Sequence, residues 1–157
     1  NEKKLFKGRK KRMKTICGAD CSNCGMQESC AGCVETNGRP LGGECVAAVC
    51  YKSGGEKCFL ACKQQIIEEF NALGIADMPP ITDLCQLAGV YVNLPYTLSN
   101  GQTIKLLDDR KIYLGYQVEK KDSDRWYGLV ADREYLLVCE YGCNGEDPEI
   151  ILLKKRN

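Results

Sequence analysis

Hydropathy changes character along this chain of 157 residues. Residues 17–55 are small, polar and glycine-rich, with little periodicity. Residues 56–73 place Phe59, Ile66, Phe70 and Leu73 at helical spacing, with Ile67 beside them. That pattern predicts one helix, stopped by Gly74. Beyond Gly89 the period becomes two, predicting strands over 90–94, 103–107, 111–118, 125–131, 134–141 and 149–153. Ile112, Leu114, Tyr116 and Val118 show the cleanest alternation. Turn residues separate the runs: Asn100-Gly101, Asp108-Asp109, Asp122 to Asp124, Asp132-Arg133 and Asn144-Gly145. Sequential strands with short turns should pair antiparallel, as a curled sheet or small barrel. The expected class is α+β: a loop-rich, metal-stapled N-terminal module, a linking helix and a C-terminal antiparallel sheet.

Shorter elements follow from local signals. Pro79 and Pro80 break the chain, and 81–87 reads as a short second helix with Cys85 in the core. Residues 45–51 also suit a short helix. Inside it Cys45 and Cys50 would diverge, so they are placed at its two ends. Cys139 and Cys143 are expected to be structural thiols.

Nine of the twelve cysteines are crowded into one third of the chain: Cys17, Cys21, Cys24, Cys30, Cys33, Cys45, Cys50, Cys58 and Cys62. Pairs such as Cys21-x2-Cys24 and Cys30-x2-Cys33 turn two sulfurs onto one centre about 2.3 Å away, as thiolate zinc sites require. No histidine occurs, so a metal here must be ligated by thiolates, with carboxylates as the other donor type. A segment this poor in apolar residues needs a staple against a chain entropy of roughly 1–2 kcal/mol per ordered residue. Metal binding supplies on the order of ten kcal/mol. Cys58 and Cys62 lie four apart on the apolar stripe of the predicted helix, as two ligands on one face or as small buried residues.

The segment from Met13 to about Cys62 resembles a bacterial cysteine-rich family that opens with CGxxCxxC and continues to CxGC. The matching text is Cys17-Gly18-Ala19-Asp20-Cys21-Ser22-Asn23-Cys24, then Cys30-Ala31-Gly32-Cys33. The tail, with KLLDDRKIYLGYQVEK and LLVCEYGCNGEDPEIILLKKR, looks like the extension of some members from Gram-positive anaerobes. The resemblance implies a metal-binding module and brings no established activity. Members often close with C-x2-C and a further cysteine after phenylalanine and proline. Here the closing pair is Cys58-x3-Cys62, without that element.

Zinc is the first expectation, because closed four-thiolate sites tolerate varied loop lengths. Eight of the nine clustered cysteines would make two such sites, their pairing left open. An iron–sulfur cluster is the alternative, since thiolates serve it equally well. Cys17-x3-Cys21-x2-Cys24 has the spacing of radical S-adenosylmethionine enzymes, and Gly42-Gly43-Glu44 and Gly54-Gly55-Glu56 are similar to their cofactor motif. The large α/β barrel of those enzymes is not predicted here. Without histidine the usual proton shuttle of hydrolases is missing, and no glycine-rich phosphate loop occurs. Catalysis is therefore not expected, although a thiol such as Cys139 or Cys143 beside a metal or lysine would be redox-active. Tyr91, Tyr96, Tyr113, Tyr116, Trp126, Tyr127, Tyr135 and Tyr141 enrich the sheet region, as strand core and surface or as the lining of a groove.

Charge is asymmetric. Residues 1–14 carry eight Lys or Arg against Glu2, and the rest carries fourteen basic and twenty acidic residues. The arm reads as a nucleic-acid contact, a solvated tail or a translated ribosome-binding stretch ahead of Met13. The expected division is a tail over 1–12, disordered or non-native, a cysteine-rich module over 13–88 and a β region over 89–157. Nucleic acid is not an expected partner of the module, whose clustered cysteines have few cations among them. A protein partner remains open. No apolar run reaches the roughly 20 residues of a membrane span and no signal peptide is read, so a cytoplasmic location with reduced thiols is expected.

Overall fold

A computed structural model describes residue 16, residues 31–34 and residues 36–156. The chain is α+β. Its long helix, α1 (Val46–Asn71), precedes β1 (Cys85–Ala88), a single helical turn α2 (Gly89–Val92), β2 (Tyr96–Thr97) and β3 (Thr103–Ile104). Then come β4 (Ile112–Glu119), β5 (Trp126–Ala131), β6 (Tyr135–Tyr141), a 3-10 turn (Cys143–Gly145) and β7 (Glu149–Lys155). The main sheet is open and antiparallel, in the order β1-β4-β5-β6-β7, while β2 and β3 form a separate hairpin. Ile151 has no partner opposite it: Val138 faces Leu152 and Cys139 faces Ile150, so β7 carries a bulge at the sheet's edge.

Alternation along the strands sorts the side chains into two faces. Leu114, Leu129, Ala131, Leu136 and Val138 form the inner face, packed against Val46, Phe59, Ile66 and Phe70 of α1. The opposite face is smaller: Tyr113, Val130 and Leu137, covered at one end by Val92, Leu106 and Leu107. Further along that face Tyr96 is buried beside the Cys139 thiol, and a trough lies next to them. Polar contacts tie the loops to this frame. The Tyr127 hydroxyl donates to the Ala76 carbonyl at 2.7 Å, and Asn93 bonds both the Leu107 backbone and Asp109.

The segment before α1 is fastened to the sheet. Cys45 bridges Ile112 in parallel, the Ile112 N–H donates to the Glu44 carbonyl, and the Gly43 N–H donates to the Arg110 carbonyl. Glu44 accepts two bonds of 2.9 Å from the Arg133 guanidinium. Such a paired fork is the strong form of an ion pair.

Several expectations are corrected. The predicted helices over 45–51 and from residue 56 both form, and α1 joins them across a break at Gly54 and Gly55. Cys45, Val46, Ala47, Ala48 and Cys50 belong to the main core, so the end of the cysteine-rich segment does bury apolar surface. Cys50 lies inside α1 rather than at an end. Residues 81–87 are not helical: Cys85 and Leu87 pair with Gly115 and Tyr113 of β4, and that partner outweighs local propensity. Cys85 is exposed, not core. Residues 90–94 turn once as a helix rather than run as a strand, and 103–107 is strand only at Thr103–Ile104. There Leu106 and Leu107 fold over Tyr113 instead of continuing the ladder.

Candidate metal centre

A straight helix would hold Cys50 and Cys62 about 18 Å apart, at a rise of about 1.5 Å per residue. In α1 the two thiols are within hydrogen-bonding reach of one another, with Cys58 close enough to act on Cys50 electrostatically. The cause is a break at Gly54 (φ −168°, ψ 18°) and Gly55 (φ 70°, ψ −159°) inside the helix. The Gly55 conformation belongs almost only to glycine, because a Cβ there crowds the backbone. Gly54 is needed for a second reason. A Cβ placed on it would lie 2.9 Å from the Cys58 Cβ. The two glycines thus fold the first helical segment back over the second and bring three thiols to one corner.

Cys50 is buried, and Cys58 and Cys62 are half-buried. Burial pushes the Cys50 thiol up to about 12, and the hydrogen bond to Cys62 and the charges of Cys62 and Cys58 push the same way. Arg133 pulls weakly in the opposite direction. Two thiols facing each other in a low-dielectric corner cannot both ionise without a cation between or beside them.

Cys33 is half-buried, in a loop closed by the Gly38 N–H donating to the Cys33 carbonyl. Lys52 Nζ of α1 donates to Asn37 Oδ1 at 2.6 Å, and also to the Asn37 carbonyl, which holds this loop against the helix. Cys45 is buried where the chain enters α1. Cys17, Cys21, Cys24 and Cys30 lie outside the described residues. Of the expected ligands, the fold therefore brings together Cys50, Cys58 and Cys62. Among the described residues no three cysteines or carboxylates are set closely enough to hold an ion by themselves. The donor chemistry is nonetheless that of a soft cation, thiols without histidine.

Gly54-Gly55-Glu56, similar in sequence to a cofactor motif, is a helix break in the fold. The signal was present in another form, as a glycine pair between two apolar helical runs. Cys139 is buried against the Gly128 carbonyl, to which its Sγ donates at 3.5 Å, while Cys143 is exposed. Among the described residues the buried Tyr96 hydroxyl meets no nitrogen or oxygen partner, and the polar group beside it is the Cys139 thiol. Burial, first of all, raises both groups above their ordinary values.

No family model, curated protein or solved structure matches this chain. Among the described residues no helix is long and apolar enough to cross a membrane.

Proposed function

We propose that this chain is a non-enzymatic zinc-binding protein whose cysteine-rich half is an interaction module, with Cys50 and Cys62 as two of the ligands. The observation that carries the reading is the Gly54–Gly55 break, which turns two distant thiols onto one corner of the core with Cys58 beside them. Two further thiolates, drawn from Cys58 and the preceding run of Cys17, Cys21, Cys24, Cys30 and Cys33, complete the tetrahedron. Zinc suits this donor set because it accepts four thiolates in a closed structural site. When bound, the ion supplies the positive charge that lets neighbouring thiols ionise together, with release of their protons. A protein partner is the natural occupant of such a module, since exposed Val34 and Leu60 give it apolar surface and the clustered cysteines carry few cations.

The test is metal analysis of reduced protein, followed by cobalt substitution. Zinc should co-purify, and cobalt should give thiolate charge-transfer bands. Cys50→Ser and Cys62→Ser should weaken metal binding by about tenfold or more, because a hydroxyl is a poor soft ligand. Cys139→Ser should leave it unchanged. A brown, iron-bearing protein under anaerobic conditions would move the assignment to the iron–sulfur alternative. Metal-free protein with a ready Cys50–Cys62 disulfide would favour a thiol redox accessory role.

A further inference from the structure

The face of the sheet turned away from α1 is only half covered. Beside the Tyr113 cluster the strands form the floor of an open trough of about 930 Å³. Its walls come from the α2 segment on one side and from the turn Cys143–Gly145 on the other. Roughly 300–1,000 Å³ is the size of small-molecule sites. The trough stands apart from the thiol corner, which α1 forms on the other side of the sheet.

Three features define what it would accept. Among the described residues, not one lining residue is Asp, Glu, Lys or Arg, although these make up 27% of the chain. A charged ligand would lose its hydration there and find no counter-charge. Second, the lining carries aromatic groups: Trp126 and Tyr141 are cross-strand neighbours on β5 and β6, and Tyr91 stands exposed on the rim. Aromatic side chains favour a flat partner in stacked or edge-to-face contact. Third, the Tyr141 ring and the Cys139 thiol close over Gly128, where a Cβ would meet Tyr141 Cε1 at 2.7 Å and Cys139 Sγ at 2.9 Å. Glycine lets the Tyr141 ring lie directly on the strand. Gln117 and Asn144 are the amide groups of the lining, enough to orient a ligand without charge.

We propose that this trough is a binding site for an uncharged, planar, ring-bearing small molecule, seated on the strand floor against Trp126 and Tyr141. Burial pushes the Tyr141 hydroxyl up to about 12, with the Cys139 thiol adding to the effect, so the aromatic wall stays neutral at physiological pH.

Trp126 is the chain's single tryptophan, so it reports on the trough directly. The probe is N-phenyl-1-naphthylamine, uncharged and planar, titrated into the full chain while energy transfer from Trp126 is followed. Saturable transfer at one probe per chain is expected, with the anionic 8-anilinonaphthalene-1-sulfonate binding about tenfold more weakly or worse. Gln117→Glu places a carboxylate in the lining at an exposed position and should weaken the neutral probe by a similar factor. Asn144→Asp on the rim is the second charge insertion, and Gln102→Glu on the β2–β3 turn is the control that should change nothing. Circular dichroism confirms that each variant is folded. Non-saturable transfer, equal affinity for the two probes, or equal affinity in the control and both insertions overturns the proposal. So does a Trp126 emission that shifts with protein concentration together with a dimer in sedimentation, because a second copy would then fill the trough.

Discussion

Asn71 and Ile81 hold each other by two hydrogen bonds: Asn71 Nδ2 donates to the Ile81 carbonyl at 3.0 Å, and the Ile81 N–H donates to Asn71 Oδ1 at 2.8 Å. The side chain behaves as a piece of strand, fixing the segment after Pro79-Pro80 to the end of α1. That contact seats the buried Ile81 and Leu84 before β1 begins. Asn71→Ala removes both bonds and should lower stability by about 1–3 kcal/mol, at about 0.5–1.5 kcal/mol for each. Urea denaturation checks it. A loss within error of zero would mean that Ile81 is held by burial alone.

Gly55 gives a sharper prediction, because nothing lies within 4 Å of a Cβ placed on it. Any destabilisation by Gly55→Ala must then come from its positive φ and not from a clash. The expected cost is about 1–3 kcal/mol. As the break relaxes, the Cys50 thiol should also become more reactive. Unchanged stability would show that the helix needs no glycine there.

Asp132 sets an acid limit on the fold. Burial pushes its carboxyl up, but the Lys111 bond of 2.7 Å and the N–H groups of Glu134 and Tyr135 hold it below its ordinary value. Glu140 is likewise lowered: burial opposes, and Lys120 and Arg125 outweigh it. A depressed carboxylate contributes stability that is present above its unfolded value and lost as pH falls through the folded one. The melting temperature should therefore hold between about pH 5 and neutrality and fall below about pH 4. Asp132→Asn should start lower and show a shallower acid limb. Parallel acid limbs for the two proteins would remove Asp132 from the account.

Thiol labelling of metal-free, reduced protein should follow exposure. Cys85 and Cys143 should react first with N-ethylmaleimide, Cys58 and Cys62 later, and Cys45, Cys50 and Cys139 last. Peptide mapping by mass spectrometry gives the order. Early labelling of Cys50 would contradict the buried corner.

Nucleic acid should not bind the chain from Met13 onward, which carries fifteen basic against twenty acidic residues. Each phosphate contact needs a cation. Titration with single- and double-stranded probes near physiological salt should show no micromolar affinity. Binding restored by residues 1–12 should fall steeply with added salt.

The sheet from β4 to β7 was legible because one face of each strand is buried, so the period of two was written into Ile112, Leu114 and their partners. The second half of α1 was legible for the matching reason, its stripe of Phe59, Ile66 and Phe70. Its first half reads as a separate short helix over 45–51, because the glycine pair hides the continuity. β1 was missed because its pairing with β4 is set across the intervening β2–β3 hairpin, which no local pattern reports. The cysteine spacings pointed to a soft-metal site. The Cys50–Cys62 contact needs the angle of the break, and spacing alone does not contain it.

The fork between Glu44 and Arg133 joins residues 89 positions apart. At synthesis rates of about 5–20 residues per second, the cysteine-rich segment leaves the ribosome on the order of ten seconds before its anchor exists. Through that interval Cys45 and Cys50 have no sheet to shelter them. Thiols that end buried in the finished protein begin life exposed, open to whatever cation or oxidant reaches the nascent chain first.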